Sequence, residues 1–221
     1  LKQLNFPQTI SDSSIKGIIL VEICDKVVCD ALSQFNLPIV SVDMPNVPFE
    51  ELNGIDVVTM ESKKNLKKII NQLIEKGAES FGFVGDLYSP NVSRGFQERY
   101  NALSECLAEH QLPLNQKNCL LHQTPEDFRN FQTTVNNLQA MISLPDVFIC
   151  GNDWTAIQLI YALQFLGFQI PKDICVVGFD NIPAASRISP SLTTISTPQK
   201  YLGIAAARQI LERIQHPNCP H

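Results

Sequence analysis

Several things are scarce in these 221 residues, and each absence narrows what the chain does. The nucleophile elbow G-x-S-x-G, the P-loop, the dinucleotide pattern G-x-G-x-x-G and the zinc-protease pattern H-E-x-x-H are all missing, and no nucleophile–base pair is apparent, so an enzyme is not expected. The four histidines, His110, His122, His216 and His221, have no metal-ligand spacing, and no cofactor or metal is called for. Basic clustering is absent too: 17 Lys and Arg stand against 22 Asp and Glu, a formal net charge of −5, which does not suit a piece that grips DNA by itself. No apolar run approaches the roughly 18 residues of a membrane span, and no signal peptide is visible. The seven cysteines are odd in number and fit no zinc or redox spacing; with Cys119, Cys150 and Cys175 inside expected strands, buried thiols and a reducing compartment are favoured. Internal repeats and low-complexity tracts are likewise absent.

What is present is alternation. Residues 146–151 form a short apolar run. Ala156, Leu159, Ile160 and Leu163 then recur at helical spacing, ended by Gly167 and Pro171, and residues 174–179 are a second apolar run rich in β-branched side chains. This reads as strand, helix, strand, with the strands buried on both faces as in a parallel sheet. Elsewhere, strands are expected at residues 15–21, 38–43, 55–60, 80–85, 117–121 and 192–196. Helices are expected at 27–35, 62–76, 92–110, 126–142 and 199–214, with Phe128, Phe131, Val135 and Leu138 facing inward in the fourth and Leu202, Ala206, Ile210 and Ile214 in register in the fifth. Lys63, Lys64, Lys67 and Lys68 fall mostly on the polar face of the helix at 62–76, a solvated face rather than a nucleic-acid contact. The class is α/β with parallel sheets, and two doubly wound units account for about eight strands better than one sheet does.

Polar residues follow the expected strand ends: Asn152-Asp153 after one, Asp180-Asn181 after the next. That edge is where open α/β sheets bind ligands. Asp180 offers a carboxylate able to accept from two adjacent hydroxyls, and Asn152 offers an acceptor and two donors. Each has a purely structural alternative, since Asp180 could cap a loop and Asn152-Asp153 could cap the following helix.

The string Asn152-Asp153, Ala156, Gly167, Pro171, Asp173-Ile174, Val176-Val177-Gly178-Phe179-Asp180, Pro190, Leu192-Thr193-Thr194-Ile195 and Pro198 resembles the effector-binding domain of the LacI/GalR family of transcription regulators. The resemblance implies a fold of the periplasmic binding protein-like type I: two doubly wound parallel-sheet subdomains, residues 1–76 plus 197–221 and residues 77–196, with a ligand cleft between them. It also implies a chain trimmed at both ends. The family's effector domain opens with a strand and helix upstream of the first strand here and closes with another strand, so more chain is expected before Leu1.

By the same resemblance Arg99 is a ligand contact, followed by Cys106-Leu107 and Gln111-Leu112 where the family has alanine-leucine and glycine-hydrophobic pairs; its alternative is a surface ion pair. Arg99, Asn152 and Asp180 together suit a ring bearing vicinal hydroxyls. Glu61 and Lys64 stand where the family has another polar contact, Trp154 is a candidate to stack on a sugar face, and His122 falls near a family aromatic position, although a lone loop histidine is more often solvent-facing. Phe179 is read as core.

The function implied is the effector-binding and dimerisation core of a cytoplasmic repressor. Its effector would be a sugar, sugar phosphate or nucleoside, and it would reach operator DNA through a helix-turn-helix head absent from this chain, as a homodimer with no membrane contact. The alternative is a sugar-binding receptor of an ABC-type transporter, against which the P-x-L-T-T-I-x-x-P string and the unpatterned cysteines argue.

Overall fold

Seven short strands and six α-helices alternate along the residues that the computed structural model describes, 4–89, 91–122, 127 and 130–217. The strands are β1 (Ile18–Val21), β2 (Ile39–Val42), β3 (Ile55–Val58), β4 (Phe81–Val84), β5 (Val147–Cys150), β6 (Cys175–Asp180) and β7 (Thr193–Ser196). The helices are α1 (Lys26–Ser33), α2 (Lys63–Glu75), α3 (Arg94–Glu109), α4 (Phe131–Gln139), α5 (Asp153–Phe165) and α6 (Gln199–Gln215). All pairing is parallel, in two sheets ordered β1-β2-β3 and β4-β5-β6-β7.

The chain divides into two compact units, Leu1–Met60 with Pro90–Gly95 and Pro198–His221, and Glu61–Ser89 with Phe96–Thr197. The sequence-based division at residue 76 and this one differ in the placement of α2 and of residues 90–95. In the first unit the alternation of side chains along the strands feeds two layers. Leu20, Ile39 and Ile55 pack with Cys29 and Leu32 of α1, whereas Val40, with Val42 and Val58, packs on Ala206 and Ile210 of α6. Arg213 of α6 is also buried, with Nη2 donating to Asp56 Oδ1 at 2.6 Å, Nε donating to Oδ2, and Gln209 Nε2 donating to the same Oδ2 at 2.8 Å. This ion pair ties the last helix to β3.

In the second unit α5 carries the expected stripe: Ala156, Leu159, Ile160 and Leu163 are buried against Phe148, Val176 and Val135. Each Leu or Ile so buried contributes about 1.5–3 kcal/mol. Helices α2 and α5 both end at a glycine in left-handed backbone, Gly77 (φ 95°) and Gly167 (φ 93°), as their sequences call for. The lysine face of α2 is partly paired with α3: Lys63 with Glu105, and Lys67 with Glu109 at 2.6 Å.

Three expectations are corrected. The strand at 117–121 is a 3-10 turn over Gln116–Asn118 followed by a single bridge, Leu120 to Val84, because Asn115 caps the turn through Lys117 N–H and removes those residues from the ladder. Phe131 is the first residue of α4 and is exposed, its ring set edge-on to Phe165 at 5.5 Å, rather than inward. Ile214 of α6 is exposed as well. Phe128 lies outside the described residues.

Candidate functional site

Because β4 to β7 are parallel, their carboxyl ends share one edge, and the residues just past them are brought together. Arg99, one turn into α3, is the hub. Its Nη1 donates to the carbonyl of Gly151 at 2.5 Å, and its guanidinium lies 3.6 Å from the centroid of the Phe179 ring. Arg99 thus touches the residue before Asn152 and the residue before Asp180. The guanidinium over the Phe179 ring is a cation–π contact, worth about 0.5–2 kcal/mol. Gly151 lets α3 come this close, since a Cβ there would meet the Phe96 ring at 2.0 Å.

Asn152 caps α5, its side chain accepting from Thr155 N–H at 2.9 Å, which leaves its amide N–H groups for another partner. Asp180 ends β6 at φ 115° and Asn181 follows at φ 57°. Two successive non-glycine residues in left-handed backbone cost about 1–3 kcal/mol each, a kind of strain that clusters at ligand sites. The turn is pinned by Thr197, whose hydroxyl donates to Asp180 Oδ1 at 3.1 Å and whose N–H donates to Asp180 O at 3.3 Å. Phe179 is buried, as expected of core.

The remaining candidates sit at the start of α2, on the loop after the 3-10 turn and on α5. Glu61 and Lys64 start α2, where Glu61 Oε1 accepts from Lys64 N–H at 2.9 Å, a helix-capping contact. His122 stacks on Tyr88 at 4.2 Å with 15° between the rings, and both are exposed. Trp154, on the first turn of α5, is 62% exposed.

Sequence reasoning gave Asp153 the part of a helix cap, whereas it is fully buried and accepts from Thr194 Oγ1 at 2.5 Å and Ile182 N–H at 2.8 Å. The signal was Gly178: a glycine inside a buried strand marks close approach, and a Cβ there would stand 2.2 Å from Asp153 Oδ1. In the first unit, Asp43 (φ 69°) at the tip of β2 accepts from Ser93 Oγ at 2.5 Å and Met44 N–H at 2.7 Å. Burial, with the Asp43 carboxylate beside it, pushes the Cys24 thiol up to about 12, and burial raises Cys29, Cys106, Cys119, Cys150 and Cys175 as well. These thiols stay protonated at neutral pH, and none is poised as a nucleophile. Among the described residues no group of three or more His, Cys, Asp or Glu could hold a metal ion, and no helix is long and apolar enough to cross a membrane.

Residues 70–221 match the family described as periplasmic binding protein-like domain. The ribose operon repressor of Haemophilus influenzae is 28% identical over 214 residues, 96% of this chain and 61% of the repressor. The HTH-type transcriptional repressor PurR of Actinobacillus pleuropneumoniae is 28% identical over 204 residues, 91% of this chain and 57% of that protein. The chain thus spans about three fifths of these relatives' length. Among solved structures, a putative transcriptional regulator LacI from Bacillus cereus superposes with a TM-score of 0.79 at 21% identity, covering 96% of this chain and 73% of that one. The chain belongs to the periplasmic binding protein-like domain family, and the curated relatives it matches include a ribose operon repressor and an HTH-type transcriptional repressor.

Proposed function

We propose that this chain is the effector-binding domain of a LacI/GalR-type transcription regulator and that it binds a sugar or sugar-like molecule at the strand tips of its second unit. The observation that carries the reading is Arg99, which is in contact with the residues preceding both Asn152 and Asp180. Guanidinium, amide and carboxylate offer donors and acceptors for the vicinal hydroxyls of a sugar, sugar phosphate or nucleoside. The name of the ribose operon repressor supports the same class. The effector acts by binding one conformational state of the protein more tightly than another, and operator DNA is read by a helix-turn-helix head outside this chain. The protein works in the cytoplasm and is not an enzyme; its relatives named above are repressors.

A homodimer is part of the proposal. Helices α4 and α5 contain one charged residue, the buried Asp153, yet expose Phe131, Trp154, Tyr161 and Phe165 among Gln and Asn side chains. In a chain of net charge −5, an uncharged face with self-complementary amides is where a second copy can approach without repulsion. A transporter receptor shares the binding chemistry, but the relatives named above are repressors.

The test is a thermal-shift screen against pentoses, hexoses, their phosphates and nucleosides. A true effector at a hundred times its Kd raises the midpoint by about 5–10 °C. A hit that also changes operator affinity of the full-length protein supports the regulator. A hit that is turned over supports an enzyme, and no hit in any class removes the sugar reading.

A further inference from the structure

We propose that Asp153 is a positioning residue: through Thr194 it holds the left-handed turn at Asp180-Asn181 and so sets the aim of the Asp180 carboxylate. The proposal rests on the reading of Asp180 as a ligand contact.

Asp153 is not needed as a helix cap, because Asn152 already accepts from Thr155 N–H. Its carboxylate instead leaves α5 and crosses β6 at Gly178, where any side chain would collide with it, to reach Thr194, the residue paired with Gly178 in the β6–β7 register. There the Thr194 hydroxyl donates to Asp153 Oδ1 at 2.5 Å and accepts from Asn181 N–H at 3.2 Å. The second oxygen, Oδ2, accepts from Ile182 N–H at 2.8 Å. One buried carboxylate thereby fixes two successive backbone N–H groups, those of Asn181 and Ile182, directly after Asp180. A fully buried charge is costly unless its hydrogen bonds are complete, and here each oxygen has a partner. Strained turns persist only where the surroundings over-determine them, and this pair of oxygens supplies that constraint.

The test uses Thr194→Val, which keeps the shape and removes the hydroxyl, with Thr194→Ser as the rescue and Gly178→Ala as an independent way to displace the carboxylate. Amide hydrogen exchange in the unliganded protein is read at Asn181 and Ile182 and, as an internal reference, in β4 and β5. The expected result is exchange at least about tenfold faster at those two amides in Thr194→Val and Gly178→Ala, unchanged β4 and β5, and recovery in Thr194→Ser. Unchanged exchange at Asn181 and Ile182, or loss spread evenly over the sheet, overturns the proposal. In a second arm D-ribose is titrated calorimetrically. If it binds, its affinity falls in Thr194→Val and returns in Thr194→Ser; affinity equal in all variants overturns the positioning role. If D-ribose does not bind the unaltered protein, that ligand fails, while the exchange result still decides whether Asp153 holds the turn.

Discussion

The Arg99 guanidinium rests on the Phe179 ring at 3.6 Å while Nη1 donates to the Gly151 carbonyl. Two strands, β5 and β6, are thereby read by one side chain of α3. A lysine keeps the charge and loses both the planar fork and the stacking surface. Arg99→Lys is expected to weaken effector binding by at least about tenfold, roughly 1.4 kcal/mol, in calorimetry, with the circular dichroism spectrum unchanged.

In the first unit, Asp56 and Arg213 retain only 9% and 7% side-chain exposure. Removing one partner takes the opposite charge away from a buried ion. Asp56→Asn or Arg213→Met is expected to destabilise by about 3–5 kcal/mol in urea unfolding, and the double replacement by apolar residues to recover most of it. Equal losses in single and double variants would mean that packing, not the charge pair, is what matters there. By contrast, Lys67→Ala, at the exposed pair with Glu109, is expected to leave the midpoint unmoved.

Burial pushes the Asp146 carboxyl up, but the Ser80 hydroxyl and the N–H groups of Glu79 and Ser80 outweigh it and hold the group below the usual carboxylate range. A depressed folded value gives stability that is complete above the unfolded value, about 3.9, and is lost as pH falls through the folded one. Asp146→Asn should therefore flatten the stability–pH curve below about pH 4 and leave its slope near pH 7 unchanged.

The exposed aromatic face makes its own prediction. Phe165 is 67% exposed and sits edge-on to Phe131. Phe165→Glu puts a like charge opposite itself in a two-fold dimer and is expected to weaken dimerisation by about tenfold or more in sedimentation velocity. An unaltered dimer would place the interface elsewhere.

Much of the fold was legible because strongly periodic segments announce themselves. The stripe from Ala156 to Leu163 and the β-branched run into Phe179 lie in the expected helix and strand. Less legible were places where a local side chain competes with the ladder: Asn115 turns residues 116–118 into a 3-10 turn, and nothing in the apolar content of 117–121 reveals it. At the site, Asn152 and Asp180 follow from the rule of strand ends, and Arg99 from family resemblance. Asp153 was hidden because an acid at a helix start reads as an ordinary dipole partner. Only the distances from Thr194 and Gly178 show what it holds. Trp154 illustrates the reverse: an aromatic beside a site motif reads as a stacking platform, whereas its exposure suits a partner surface equally well.

The central claim is that the Asp180 carboxylate helps to hold a polyhydroxylated effector. Calorimetric titration of the best thermal-shift ligand into the unaltered protein and into Asp180→Ala tests it most directly. Loss of binding by about a hundredfold, with the variant still folded, is the expected result, since a carboxylate accepting two hydroxyls contributes about 1.5–3 kcal/mol per charged hydrogen bond. Equal affinity in the two proteins would contradict the account.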